Sequence, residues 1–377
     1  MLPVRLHIIA FDIPYPPDYG GVIDIHFRIR ALHALGIHIV LHCFQYRKPV
    51  APELLSWCEE VHYYHRPVYR DLLHMRLPYI VASRQHPDLL RNLLLDDAPI
   101  LFEGLHTTAL LPHPGLKNRM KMVRMHNIEH HYYQQLAGQE NNPLRRAFFH
   151  VEAARLNKYE PILDHAQGIA AISLDDEKVL KKKYGERVIL LPAFHPHSYV
   201  KSLPGIGKYA LYHGNLSVAE NHKAANYLIR EVFSALDYPL IIAGKNPKAS
   251  LVKAAAGYSN IQIISSPDES LLTRHMQDAQ VIVLPTFQDT GLKIKLLNSL
   301  FLGRHIVANP MMVSGTGLEE LVNITDGPSA FQSAVMSCAQ QVFTAEDVEK
   351  RTAVLFPKFD PLHNARILAA RMGISSV

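Results

Sequence analysis

The sequence sets two lysines, Lys293 and Lys295, directly after Thr290-Gly291-Leu292 and at the head of an apolar run holding Leu296, Leu297, Leu300 and Phe301. Leu292, Leu296 and Leu300 recur every four residues, which predicts a helix with one face turned into a core. Cations in the first turn of a helix oppose its dipole. They therefore either lie on a solvated face or answer an anion held by the amides of that turn. A phosphate suits the second reading, with Gly291 allowing close approach of the backbone. Asn298 lies off the centre of the apolar stripe, where a helix can present it to a ligand.

A second set of reactive groups centres on histidine. The chain has 23 histidines, so no single one stands out by type. Position singles out His106, in Glu103-Gly104-Leu105-His106, and His126, in His126-Asn127-Ile128-Glu129-His130, each just beyond a short apolar run, with His106 expected to be structural rather than catalytic. His126 and His130 have the spacing at which a helix offers two imidazoles to zinc. Glu129, however, is fourth in that pentad rather than second, and no third ligand is evident, so a role in a binding cleft is expected rather than a metal. Gly20 and Gly21 stand between the first predicted strand and helix, where they allow either a plain turn or close approach to a phosphate or sugar.

The elements that must position these groups alternate. Strands are expected at residues 5–11, 38–44, 99–102, 120–125, 168–172 and 188–191. Helices are expected at 22–35, at 144–165 with an interruption at Pro161, and before Lys181-Lys182-Lys183. Such an order opens a doubly wound α/β domain, whose ligands bind at the carboxyl ends of the strands. Residues 192–208, rich in Pro, His, Ser and Gly, read as a linker. The pattern then restarts with strands at 209–213, 239–243, 261–264, 281–284 and 306–308 and a helix at 220–236. The tail, 345–372, reads as a helix broken near Pro357 and Pro361 that can cross back. The expected domains are 1–195, with 352–377 packed on it, and 205–351.

A chain of 377 residues suits two such domains, and 48% hydrophobic residues supports full folding. The net charge of +5 without a long basic run does not point to nucleic acid. It leaves room for phosphate-bearing substrates or weak attraction to an anionic membrane surface. Cys43, Cys58 and Cys338 show no CxxC spacing, which argues against disulfides and thiolate metal sites and for a reducing compartment. The opening residues lack the pattern of a signal peptide, and no apolar run reaches the roughly 20 residues of a membrane span. A cytoplasmic protein, soluble or peripheral to the membrane, is expected.

Several motifs occur in an order that carries further: Arg5-Leu6-His7-Ile8-Ile9 followed by Gly20-Gly21, Arg124-Met125-His126-Asn127, Tyr212-His213-Gly214-Asn215-Leu216, Ile241-Ile242-Ala243-Gly244, and Leu284-Pro285 leading to Gly291-Leu292-Lys293-Ile294-Lys295. Together they resemble the GT-B glycosyltransferases, and among them glycosyltransferase family 4, over nearly the whole chain. The resemblance implies two Rossmann-like domains facing across a deep cleft, with the acceptor in the N-terminal half and a nucleotide-sugar donor in the C-terminal half. By the same resemblance Gly20 and Gly21 approach the donor phosphates and sugar, and His126 faces the transferred sugar, with Glu129 a weaker polar contact. Gly214 and Asn215 form the first turn of the donor domain, and Gly244 and Lys245 border the base. Gly291, Leu292, Lys293 and Lys295 receive the diphosphate. The implied chemistry is retaining transfer without a metal, since charge neutralisation on the departing diphosphate lowers the barrier. No permanent cofactor is implied; the nucleoside diphosphate sugar is a co-substrate. The implied partners are that donor and a glycan or glycolipid acceptor, with peripheral contact to the inner membrane surface and no nucleic acid.

The departures are specific. Thr290 and Asn298 occupy the positions of the family's Glu-x7-Glu pair. Asn215 stands where an arginine is expected, and Glu220 and Asn221 lie near the expected lysine, with Lys223 offset. Either Lys293, Lys295 and Arg304 take over the phosphate, or the chain is a GT-B-shaped binding or scaffold protein without catalysis. Epimerisation or phosphorolysis would keep the fold, but no lysine motif for pyridoxal phosphate is present.

Overall fold

In β1 (Arg5–Ala10) successive side chains point to opposite faces. Leu6, Ile8 and Ala10 join one buried cluster with Val22, Ile25 and Ile29, while Ile9 joins another with Phe102, Leu156 and Leu180. A strand apolar on both faces requires cover on both, which is the condition of a parallel sheet between helices. The computed structural model, which describes residues 4–66, 77–288 and 293–374, has this arrangement twice. Thr290, Gly291 and Leu292 lie outside the described residues.

The first sheet contains β1, β2 (His38–Gln45), β3 (Glu60–His65), β4 (Ile100–Glu103), β5 (Lys121–Arg124), β6 (Gly168–Ala171) and β7 (Val188–Leu190). Its order is β3-β2-β1-β4-β5-β6-β7, with every described pairing parallel and Ile8 opposite Leu41 on one side and Leu101 on the other. The second sheet contains β8 (Ala210–His213), β9 (Leu240–Gly244), β10 (Ile261–Ser265), β11 (Val281–Leu284), β12 (His305–Ala308) and β13 (Asn323–Ile324), in the order β10-β9-β8-β11-β12-β13. Strand order reverses between β1 and β4 in one sheet and between β8 and β11 in the other. In doubly wound sheets that switch point opens a crevice at the carboxyl ends of the strands.

The chain divides into two compact units. The first runs to Pro196 and resumes at Phe359, and the second holds most of the chain between His197 and Lys358. The last helix, Pro361–Arg371, therefore returns to the first unit, where Ala365, Leu368 and Ala369 pack in the cluster of Ile25, Ile29 and Leu32. The helix before it, Ala345–Phe359, runs through Pro357. The break falls only at Asp360, whose carboxylate caps Leu362 N at 2.9 Å, so one of the two expected interruptions is absent.

Other boundaries differ for local reasons. The first helix is Gly20–Ala34, so Gly20 and Gly21 form its first turn rather than a loop before it. The helix expected at 144–165 is Pro143–Tyr159 followed by a 3-10 turn at Glu160–His165, with Pro161 in the tighter turn where its missing N–H costs little. The helix expected at 220–236 is α-helical over Ala219–Tyr227 and widens to a π turn at Leu228–Val232. No helix among the described residues is long and apolar enough to cross a membrane. All three cysteines are buried and free.

Candidate functional site

Four charged side chains are fully buried behind the carboxyl ends of β4 and β5: Asp24, Arg28, Glu103 and Arg124. Arg28 donates to Asp24 Oδ2 at 2.7 Å and to the Glu103 carboxylate. Arg124 grips Asp24 with two nitrogens, at 3.2 and 3.1 Å, and reaches the carbonyls of Leu191 and Pro192. Burial alone pushes the Asp24 carboxyl up, but Arg124 and Arg28 more than offset it and hold it below the ordinary carboxylate range. Two acids and two guanidinium groups cancel, and the knot ties the first helix to three strand ends.

His126 is fixed on this knot. Its Nε2 lies 2.8 Å from Glu103 Oε2, its Nδ1 has no hydrogen-bond partner, and Phe11 meets the ring edge-on at 5.1 Å. Asp24, Glu103 and His126 bring ligand atoms within 4.8 Å of one another, the geometry of a metal site. The arginines, however, already occupy both oxygens of Asp24 and one of Glu103, so a divalent cation would have to displace two fixed positive charges. His126 and His130 do not share a helix face, because the helix Glu129–Gln139 starts after His126, and His130 Nδ1 lies 3.0 Å from Glu160 Oε2.

His106, Glu129 and Phe11 complete the group. Phe11 packs on His106 as well as His126, and a Cβ on Gly21 would come within 2.8 Å of the Phe11 ring. Glycine at 21 thus brings the start of the first helix down onto this aromatic cluster, while Gly20 beside it is half-buried. Glu129 is 1% exposed, and burial pushes its pKa up to about 8. Its Oε1 and His106 Nδ1 lie 3.9 Å apart and neither has a hydrogen-bond partner. Of these groups, His126 and Glu129 are almost wholly buried, and His106 is the more exposed. Sequence reading passed over Asp24 and Arg28, although their i, i+4 spacing beside the apolar stripe of a predicted helix is a visible sign.

The second unit builds its group around Lys295. The helix Ile294–Leu302 begins one residue after Lys293, whose Nζ donates to Gln288 O at 3.0 Å. Lys295 Nζ donates to Asn221 Oδ1 at 2.5 Å and to the Tyr212 hydroxyl at 3.2 Å, both neutral. Burial pulls its pKa down to about 8; Glu220 opposes that pull and Lys293 adds to it. Gly214, just past β8, completes the setting, since a Cβ there would stand 3.5 Å from this ammonium.

The remaining predicted residues fall unevenly. Gly244 has no room for a side chain, because a Cβ would lie 1.9 Å from Gly214 O, so this glycine locks the ends of β8 and β9 together. Lys245 is exposed beside it. The Asn215 side chain accepts from Ser217 N and Oγ at 3.1 and 2.7 Å, so it shapes its own turn, and its carbonyl accepts from Asn221. Asn298 Oδ1 lies 3.0 Å from His197 Nε2. That imidazole stacks on Phe301, and burial pulls its pKa down to about 4, so it is neutral and donates. The bond fixes the Asn298 amide with its Nδ2 left to donate. Arg304 donates to the carbonyls of Gln277 and Ala279, which ties it to the loop before β11 rather than to the Lys295 group.

No family model matches the chain. A protein of Klebsiella pneumoniae described as "Uncharacterized 44.6 kDa protein in cps region" is 26% identical over 350 residues, covering 85% of this chain and 88% of that one. Among solved structures, a glycosyltransferase from Rickettsia africae matches with a TM-score of 0.63 at 11% identity over 99% of each chain. A UDP-forming α,α-trehalose-phosphate synthase from Burkholderia vietnamiensis matches with a TM-score of 0.62 at 10% identity, over 98% of this chain and 100% of the other. The lipopolysaccharide outer core galactosyltransferase WaaB matches with a TM-score of 0.60 at 10% identity, over 98% and 99%. Likeness at this identity speaks to architecture, and the architecture of this chain is GT-B: two Rossmann-like domains, with the C-terminal helix returned to the first.

Proposed function

We propose that the chain is a glycosyltransferase that takes a sugar from a nucleoside diphosphate sugar and passes it, with retained configuration, to a glycan or glycolipid acceptor. The observation that carries this reading is Lys295. An ammonium drawn out of water, held by neutral oxygens and set under the Gly214 turn at a topological switch point, is incomplete until an anion arrives. A diphosphate supplies that anion, and the same contact stabilises the charge that develops on it as the sugar departs. Lys293, Thr290, Gly291 and Leu292 are assigned to the same phosphates, Gly244 and Lys245 to the edge of the base, and Asn298 Nδ2 to the ribose. In the first unit, His126 and Glu129 orient the reacting sugar behind His106, and Gly20 and Gly21 admit it. The GT-B neighbours that transfer sugars, one of them UDP-forming, support the reading.

Ligand-observed NMR with a panel of nucleoside diphosphates tests the donor half directly. Binding at or below millimolar concentration that is lost in Lys295→Met is expected; silence across the panel overturns the proposal. The anomeric configuration of the product, read by NMR after turnover with the matching donor and acceptor, tests retention. One observation favours a second reading, a GT-B protein that binds without transferring. Asn298 stands where family 4 enzymes carry a carboxylate, and its carbonyl is already taken by His197. Release of nucleoside diphosphate from any sugar nucleotide in the presence of acceptor excludes that reading.

A further inference from the structure

Among the described residues, three buried arginines of the first unit have carboxylate partners: Arg28 and Arg124 at the central knot, and Arg119 at Asp96. A fourth, Arg84, does not. It is 7% exposed, its Nε donates to Phe11 O at 2.9 Å and its Nη1 to Ile80 O at 2.7 Å. Its Nη2 makes no hydrogen bond, and no carboxylate oxygen comes within 4.0 Å among the described residues. Burial without an acid is not unusual by itself. Arg351 in the second unit is also buried without one, but there both terminal nitrogens are taken by Ser202 Oγ and by the carbonyls of Leu300, Gly303 and Arg304. Arg84 has a donor to spare.

A second cation stands beside it. Arg66, just past β3, donates to Ser83 Oγ at 3.0 Å and packs over the rings of Tyr46 and Tyr79 at 5.1 and 5.6 Å. The two guanidinium groups repel each other, and both bear on His106, whose protonation burial and their charge together suppress. Asp12 acts on Arg84 only from beyond ion-pair distance and already accepts from the Tyr19 hydroxyl and Ile13 N. Glu129, kept neutral at pH 7 by burial, does not supply the missing negative charge. Two like charges therefore converge at the carboxyl ends of the strands, next to Glu129 Oε1 and His106 Nδ1, which are both without partners.

We infer that Arg84 and Arg66 hold the anionic group of a carboxylate- or phosphate-bearing sugar, and that His106 and Glu129 take one of its hydroxyl groups. The inference rests on the transfer reading in naming that sugar as the acceptor; the anion site itself stands on the geometry of the first unit. Guanidinium groups suit both anions, because a planar fork of N–H donors matches paired oxygens. The 3.9 Å between His106 Nδ1 and Glu129 Oε1 leaves a hydroxyl able to accept from one and donate to the other.

Calorimetric titration of the full chain with glucuronate, glucose 6-phosphate and glucose, without nucleotide, tests the site. At least one anionic sugar is expected to bind about tenfold or more tightly than glucose, the scale of one charge-assisted hydrogen bond. The stronger of the two anions identifies the group as carboxylate or phosphate. Arg84→Gln is expected to abolish the preference and Arg66→Gln to reduce it severalfold; the second change, at a half-buried position, keeps the test valid should the first disturb folding. Equal binding of anionic and neutral sugars by the unsubstituted chain, or a preference that survives both substitutions, overturns the inference. Nucleoside diphosphate binding read on the same samples separates the two proposals. Its presence without an anion preference defeats this site alone, and an anion preference without it defeats the donor reading alone.

Discussion

The knot behind β4 and β5 and the lysine under the Gly214 turn are both buried charge, and they are built in opposite ways. At the knot every charge has a partner of opposite sign within hydrogen-bond distance, and Arg124 spends its remaining donors on backbone carbonyls. Lys295 meets only an amide and a phenol. Compensated charge of the first kind fixes where strands end. Uncompensated charge of the second kind is unfinished electrostatics, and it lies where the topology admits ligands. Arg84 belongs with the second kind although it shares a unit with the first.

The sharpest way to break the comparison is to unbalance the knot. Asp24→Ala leaves Arg28 and Arg124 buried with one acid between them and is expected to cost about 3–5 kcal/mol, as removal of one member of a buried pair does. Chemical denaturation of the first unit's transition checks it, and a loss below about 1 kcal/mol would mean that the knot is not what holds these strand ends. Glu129 provides the next largest effect. Its folded pKa of about 8 lies above the ordinary 4.5, so the fold retains a proton that the unfolded chain releases between those values. The stability this gives is present below about pH 4.5 and is lost as pH rises through 8. Glu129→Gln is therefore expected to match the parent near pH 5 and to exceed it by roughly 4 kcal/mol at pH 9. Parallel pH profiles for the two proteins would show that Glu129 is solvated.

The contrast between the two kinds of charge also explains what could be read from sequence. Periodicity exposes strands with apolar faces on both sides, so β1, β2, β8 and β11 and the doubling of the fold are legible. It misses β3, whose Glu60-Val61-His62-Tyr63-Tyr64-His65 is polar because an edge strand is only half covered, and the two-residue β13. Lys295 was legible because a cation at the start of a helix violates a local rule. Arg84 was not, since nothing local marks an arginine whose acid is missing; that absence exists only after distant segments pack. Asn298 shows a third case. Its position was legible, but the His197 contact that orients its amide comes from the linker 101 residues earlier.

Lys295 gives the next effect, on binding rather than stability. Its folded pKa lies below the ordinary 10.5, so the ammonium costs stability below pH 8, and that cost disappears as pH rises from 8 toward 10.5. Lys295→Met is thus expected to fold at least as well as the parent near pH 7 while losing about 10- to 100-fold in nucleoside diphosphate affinity. In the parent, affinity should fall as pH passes 8; in the variant it should not change there. Destabilisation of the variant by several kcal/mol would place Lys295 with the knot instead.

Asn298 separates the two kinds of group most finely, because it has one end in each. Its carbonyl is satisfied by His197, and only its Nδ2 remains to meet a ligand. A neutral hydrogen bond contributes about 1 kcal/mol, so Asn298→Ala should weaken nucleoside diphosphate binding roughly fivefold, well short of the Lys295 effect. His197→Phe keeps a ring against Phe301 but frees the amide to turn. It should reproduce part of the loss if the amide is held for a ribose, and none of it if the contact only anchors the linker. Asn298→Glu then decides between transfer and binding alone. Restored catalysis or tighter donor binding would mean that the site has the shape to hold a carboxylate at this position. A loss matching Asn298→Ala would mean that the surroundings have closed around the amide, with His197 as its fixed partner.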